Sequence, residues 1–342
     1  MRRDAGRKPD ARYRVAAISV VFLAAGLLAG VAWLSRDRNE NMPASDLPAF
    51  FKTEEAEGRY MAAYDMVLRK WPVDYEDVYV PTSLGLTHVI ASGPRDAPPL
   101  ILLHAALATA VVWRPNVEAL SQHFRVYAVD IVGQGGKTVA SRKIKTRRDF
   151  ADWMNEVFDG LGVESASIVG NSYGGFLALN QASLAPERVD RVVLISPAGG
   201  FVSVVPLFRS MIFRTLEGQV LRFFGAPRPR PDITLILGGK GHFNPDDEDW
   251  LALGGQLMGG SLRVNMIMPA VISEAEFRTI RTPTLLLIAE HEILYEPHAT
   301  LRRAMERMPG LEGDIVADAH HLAAMAQPDA VNARIIAFLQ QR

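Results

Sequence analysis

Residues 168–175 read Ile-Val-Gly-Asn-Ser-Tyr-Gly-Gly, an apolar strand end that runs straight into a serine with glycines two positions before and after it. A serine held between a strand and a helix must adopt a strained backbone, and only small neighbours let the two elements pass closely. Strain of that kind costs about 1–3 kcal/mol and persists where function needs it. A helix starting beside Ser172 also turns its first N–H groups toward developing negative charge. Ser172, in the G-x-S-x-G pattern of Gly170–Gly174, is therefore the candidate nucleophile. It needs a base, an acid and an anion hole from elsewhere in the chain.

Outward from this turn, strand and helix patterns alternate. Thr53–Arg69 carries apolar residues at helical spacing and is ended by Pro72. Asp77–Pro81 and Thr87–Ser92 read as short strands joined by a hairpin at Ser83–Gly85. Pro99–Leu103 is continuously apolar, as expected of a strand covered on both faces. Strands follow at Arg125–Asp130, Ser165–Val169, Arg191–Ile195, Thr284–Ala289 and Gly313–Val316. Helices are expected at Arg147–Leu161, Gly174–Ser183, Pro297–Arg307 and Pro328–Gln341. Such alternation predicts an α/β fold, a mostly parallel central sheet flanked by helices. It breaks at Pro197 and resumes near Arg278, so 197–278 reads as a helical cap insertion. The expected parts are then a core in two pieces, 49–196 and 279–342, with the cap between them.

The N-terminus has a different character. Val15–Leu34 carries no charged side chain, and at about 1.5 Å per residue it is long enough to cross a hydrocarbon core of roughly 30 Å. The preceding 1–14 are rich in arginine, and 35–48 read as a linker. This asymmetry favours an N-terminal membrane anchor with the catalytic domain outside the cytoplasm, the inner-membrane single-pass arrangement. A cleaved signal segment, giving a secreted or periplasmic enzyme, is the alternative.

Composition narrows the function further. The chain is 342 residues long, 49% hydrophobic, with net charge −1 and no cysteine. It is ample for a large core, offers no basic surface for nucleic acid, and has neither disulfides nor a thiolate nucleophile. Gly133–Thr138 lacks the first glycine of a phosphate loop, because Ile131 occupies that position. His291, His298, His320 and His321 form no compact metal-ligand motif such as H-E-x-x-H. Neither cofactor nor metal is expected.

With these segments in view, the chain over roughly 78–342 resembles the α/β-hydrolase superfamily, and within it a bacterial carboxylesterase-like group. The resemblance is carried by the G-N-S-x-G-G elbow, ILLHAALATAVVW (101–113), YAVDIVGQGGKT (127–138), LLLIAEHEI (285–293) and AHHLAAMAQP (319–328), with WPV (71–73) and the Thr-His-Val strand. It implies the order nucleophile, acid, histidine. The family's Gly-x-x-Asp pattern falls on Ala289–Glu292, which selects Glu292 over Glu290 as the acid. The proline seven residues after the histidine is Pro328, which selects His321 over His320 as the base. The resemblance also implies an oxyanion hole from the backbone N–H groups of Tyr173 and Ala106, with His104 bracing the loop. Two departures stand out, Ala105 and His320 where the family has glycine. Alanine at 105 would be costly if that backbone needs a positive φ.

The implied activity is a serine hydrolase that cleaves a small or medium carboxylic ester through an acyl-enzyme, with Ser172, Glu292 and His321 as its triad. A carbon–carbon bond (diketone) hydrolase with the same residues, or an inactive ligand-binding protein of this fold, are the alternatives.

Overall fold

The computed structural model describes residue 51 and residues 53–204, 253–254 and 264–341. Helix α1 (Glu54–Leu68) precedes a hairpin of β1 (Tyr75–Thr82) and β2 (Gly85–Ser92). Then come β3 (Pro99–Leu103), α2 (Arg114–Ser121), β4 (Arg125–Val129), the two-residue β5 (Val139–Ala140), α3 (Arg147–Leu161), β6 (Ala166–Asn171), α4 (Tyr173–Leu184) and β7 (Val189–Ile195). After the insertion, α5 (Glu274–Phe277) leads into β8 (Thr284–His291), α6 (Pro297–Arg307), β9 (Glu312–His320), α7 (Ala323–Ala326) and α8 (Pro328–Leu339).

The sheet runs β1-β2-β4-β3-β6-β7-β8-β9, with β5 paired to β2. β2 is antiparallel to β1, β4 and β5; every pair from β4 through β9 is parallel. Side chains alternate across each strand. Leu100 and Leu102 of β3 therefore enter one core with Tyr60 of α1, Val117 of α2 and Phe338 of α8. Ile101 and Leu103 enter the other with Trp153 of α3 and Phe176 of α4. Burying each such aliphatic or aromatic side chain contributes about 1.5–3 kcal/mol before ordering costs. The continuous apolar runs in β3 and β6–β8 follow from this two-sided cover.

Local chemistry sets the helix bounds. α3 opens on a capping box, in which Thr146 accepts the Asp149 N–H and the Asp149 side chain returns to Thr146, and it closes at Gly162 with a left-handed φ of 69°. α4 is buried on every side from Tyr173 to Ala182, which is why its sequence shows no amphipathic period. The edge strand β9 extends four residues further than the Gly313–Val316 run, because alternation there is half-exposed and gives a weak apolar signal.

The insertion leaves β7 at Ile195 and its returning arm, 264–272, meets the departing chain again. Gly200 donates to the Ala270 carbonyl at 2.8 Å and accepts the Ile272 N–H at 2.9 Å.

The expectation of a transmembrane anchor is corrected. Val15–Leu34 lies outside the described residues, and among the described residues no helix is long and apolar enough to cross a membrane. The longest described helices, α1 and α3, have 15 residues each, short of the roughly 20 that a span requires. The inner-membrane placement with the catalytic domain outside the cytoplasm is withdrawn with the anchor; the alternative, a secreted or periplasmic enzyme after signal cleavage, rests on the same residues outside the described part.

Candidate active site

Ser172 sits between the end of β6 and the start of α4 with φ 53° and ψ −112°. The flanking glycines explain how the chain makes this turn. A Cβ on Gly170 would lie 2.2 Å from the Gly174 carbonyl oxygen, and one on Gly174 would lie 2.1 Å from that of Leu103. The strand and helix thus touch through bare backbone. The turn is clamped by Ser172 N–H donating to the Ile195 carbonyl at 2.8 Å and by Ala198 N–H donating to the Ser172 carbonyl at 2.9 Å.

Register brings the other two groups together. β8 and β9 pair with His291 opposite His320, so Glu292 and His321 are each the first residue beyond a matched pair. The Nδ1 atom of His321 lies 2.8 and 2.9 Å from the two carboxylate oxygens of Glu292. Its Nε2 atom lies 2.8 Å from Ser172 Oγ. Ser172 and His321 are each 6% exposed, and the Glu292 side chain is fully buried. A continuous hydrogen-bonded line therefore runs carboxylate–imidazole–hydroxyl in a nearly dry setting, where such bonds are strongest. Burial alone would push the Glu292 carboxyl up; the bond to His321, its charge and the Leu294 N–H more than reverse this and hold it below the usual carboxylate range.

Neighbouring candidates are placed elsewhere. Glu290 is exposed, and its carboxylate accepts the Asp318 N–H at 2.8 Å. His320 turns its ring toward His291, 5.0 Å away between centroids. Glu290, His291 and Asp318 hold potential metal-ligand atoms within 4.8 Å of one another, all on exposed side chains. Exposed acidic groups commonly gather this way without an ion.

The loop after β3 carries Ala105 and Ala106. The left-handed residue there is Leu107, φ 55°, and Ala105 is not among the positive-φ residues. The methyl at 105 therefore meets no backbone penalty, and it is nearly buried. His104 is fully buried; its Nδ1 bonds the Ala105 carbonyl at 2.8 Å and its Nε2 accepts the Ile131 N–H at 3.0 Å. That pairing requires the neutral tautomer with the proton on Nδ1, and burial pushes the His104 imidazole down accordingly. The Ala105 carbonyl also accepts the Ala108 N–H at 3.2 Å. Because a trans peptide sets its C=O and N–H in opposite directions, fixing that carbonyl turns the Ala106 N–H to the other side. The Tyr173 N–H, first in α4, has no intrahelical acceptor.

Sequence reasoning assigned no role to two residues that hold this arrangement. Asn171 donates to the carbonyls of Ile195 at 3.0 Å and His321 at 3.4 Å, tying the nucleophile strand to the histidine turn. Ser196, left-handed at φ 42°, accepts the Ala289 N–H at 3.1 Å and helps to hold the Glu292 carboxyl down. The signal available for both was position alone, a small polar residue immediately after an apolar strand.

Comparison with known proteins identifies the fold and its family. A family model described as alpha/beta hydrolase fold matches residues 98–236. Carboxylesterase YbfK of Bacillus subtilis is 38% identical over 292 residues, covering 84% of this chain and 96% of the relative. The crystal structure of naproxen esterase (carboxylesterase NP) from Bacillus subtilis superimposes with a TM-score of 0.74 at 33% identity, covering 84% of this chain and all of that one. That of carboxylesterase CesB (YbfK) gives 0.71 at 38% identity, over 84% and 99% of the two chains. The chain belongs to the α/β-hydrolase family, close to bacterial carboxylesterases. It is an enzyme, a serine hydrolase with esterase activity on small to medium esters, and the reading of it as an inactive binding protein is set aside.

Proposed function

We propose that Ser172 is the nucleophile, His321 the general base and Glu292 the acid that orients it. The observation that carries this reading is the unbroken line from Glu292 through His321 Nδ1 and Nε2 to Ser172 Oγ, with contacts of 2.8 Å on either side of the ring. As Ser172 Oγ attacks the ester carbonyl carbon, its proton passes to His321 Nε2. Glu292 keeps the other proton on Nδ1 and stabilises the imidazolium. Backbone N–H groups of Tyr173 and Ala106 receive the tetrahedral oxyanion. His321 then protonates the departing alkoxide, and a water activated by the same ring releases the acid from Ser172. No step calls for a cofactor.

The core in this reading comprises 49–196 and 279–342, with 197–278 as a cap over the acyl site. The cap's returning arm supports that assignment, because Ile267 N–H donates to the Tyr173 hydroxyl at 3.1 Å, immediately beside the nucleophile.

A fluorophosphonate probe on the full chain, with the adduct located by peptide mass spectrometry, tests the assignment. Labelling at Ser172 that both Ser172→Ala and His321→Ala abolish is the expected result. Labelling that survives His321→Ala would move the base to another residue, and a folded wild type that does not label would overturn the nucleophile.

A further inference from the structure

Gln134 is fully buried in the turn between β4 and β5, and both ends of its carboxamide are used. Its oxygen accepts the Leu107 N–H at 3.2 Å. Its amide nitrogen donates to the Asn265 carbonyl at 3.1 Å. Leu107 is the left-handed residue next to Ala106, a conformation that is unfavourable for any residue with a Cβ and needs support from its surroundings. Asn265 belongs to the insertion's returning arm. The arm is bolted at this point. Asn265 N–H donates to the Gly133 carbonyl at 2.8 Å, and its side chain exchanges two bonds with the Ile144 backbone at 2.7 and 3.2 Å. The approach is close, since a Cβ on Gly133 would fall 2.4 Å from the Asn265 carbonyl oxygen.

We propose that Gln134 is a positioning residue that couples the anion-hole loop to the returning arm of the insertion. The inference rests on the reading of the Ala106 N–H as an oxyanion donor and goes beyond it. Two anchors fix the loop from opposite sides. His104 orients the peptide that carries the Ala106 N–H, and Gln134 orients the next one. Only the second anchor also holds the arm, so a displacement of Asn265 is passed through one planar carboxamide to the peptide beside the hole. Hydrogen bonds aimed at a developing oxyanion act chiefly in the transition state. The coupling therefore appears in kcat and leaves ground-state binding nearly untouched.

The test is a double-mutant cycle of Gln134→Ala and Asn265→Ala in the full chain, assayed for kcat and KM on p-nitrophenyl acetate, with thermal midpoints recorded alongside. Losing one oxyanion donor outright costs about 10²–10³-fold, so loosening its loop is expected to lower kcat about tenfold or more with KM changed by less than about twofold. Asn265→Ala, which frees the arm from Ile144, is expected to lower kcat as well and to add little in the Gln134→Ala background. Should Gln134→Ala fail to fold, Gln134→Glu, which keeps an acceptor for the Leu107 N–H and loses the donor to the Asn265 backbone carbonyl, still reads the effect, because a kcat equal to wild type there overturns the coupling. Additive effects of the two changes, or a loss confined to KM, overturn it too. Fluorophosphonate labelling separates the two readings: a labelled wild type with no effect of either variant sinks only the coupling, whereas an unlabelled wild type sinks the nucleophile and the coupling with it.

Discussion

Replacing Gly170 by alanine tests how the elbow is built. The new methyl would lie 2.2 Å from the Gly174 carbonyl oxygen, 2.3 Å from its carbon and 2.6 Å from the Gly175 nitrogen. Ordinary contact begins near 3.4 Å, so β6 and α4 must separate by about 1 Å, a distance set by the shortfall at the carbonyl. All three obstructing atoms are backbone, and α4 is buried on every side, so no flexible side chain can yield. Overpacking of this kind costs about 1–3 kcal/mol. A shift of about 1 Å at the reacting atoms costs about 10²-fold in rate. Gly58 supplies the control. It is exposed in the middle of α1 with nothing within 4 Å of a built Cβ, so alanine there is expected to stabilise by about 0.5–1 kcal/mol. Urea melts and kcat on p-nitrophenyl acetate read both variants. The two substitutions are chemically identical and should move stability in opposite directions, with activity lost only at 170. A Gly170→Ala enzyme with wild-type midpoint and a rate within twofold of wild type would refute the close-contact account.

Glu292→Gln removes the charge beside His321 while keeping its shape, and kcat is expected to fall by about 10³–10⁴-fold with KM nearly unchanged. A fall of less than tenfold would show that another group orients the ring. Because the Glu292 carboxyl is held below its usual range, its stabilising contribution is present above the unfolded carboxylate value near 4.3 and is lost as pH falls through the lower folded value. Acid melts of wild type against Glu292→Gln should therefore diverge above that window and converge below it. His88 lies fully buried between Asp130 at 2.7 Å and Asp77 at 2.8 Å. Burial pushes its imidazole down, but the two aspartates more than offset this and raise it. Its contribution is then fully present below the unfolded value near 6.5 and disappears as pH rises through the raised folded one. Asp130→Asn, which breaks this buried pair, should cost about 3–5 kcal/mol and flatten that alkaline decline; a variant whose midpoint tracks pH as the wild type does would contradict the assignment of charge.

Much of this architecture could be read directly from residue order. Pro99–Leu103, Arg147–Leu161 and Pro297–Arg307 match their expected bounds, because each has a strong local signal: a run of apolar residues, a capping box, a proline at the first turn. The elbow was legible for the same reason, since glycines that admit bare backbone leave a fixed spacing around Ser172. The positions of Glu292 and His321 relative to each other depend on the β8–β9 register. That is a long-range property, and the family pattern supplied it where local propensity was silent. What stayed hidden was the support. Gln134, Asn171 and Ser196 act through partners up to 150 residues away, and no local period or motif marks such bonds. His88 was equally opaque: a histidine in an apolar strand looks like any half-polar position until Asp130 is seen behind it.

The bridge that joins Gly200 to the segment 270–272 has an evolutionary side. It gathers the departing chain at Gly200 and the returning chain at 270–272 into one backbone junction. The entropy of closing a loop rises with the logarithm of its length, about 0.6 kcal/mol for each doubling. Changes in the length of what lies between the ends therefore add little closure cost. The junction acts like a socket, in which the length of chain joining its two ends can vary while β6, β8 and β9 hold Ser172, Glu292 and His321 where they are.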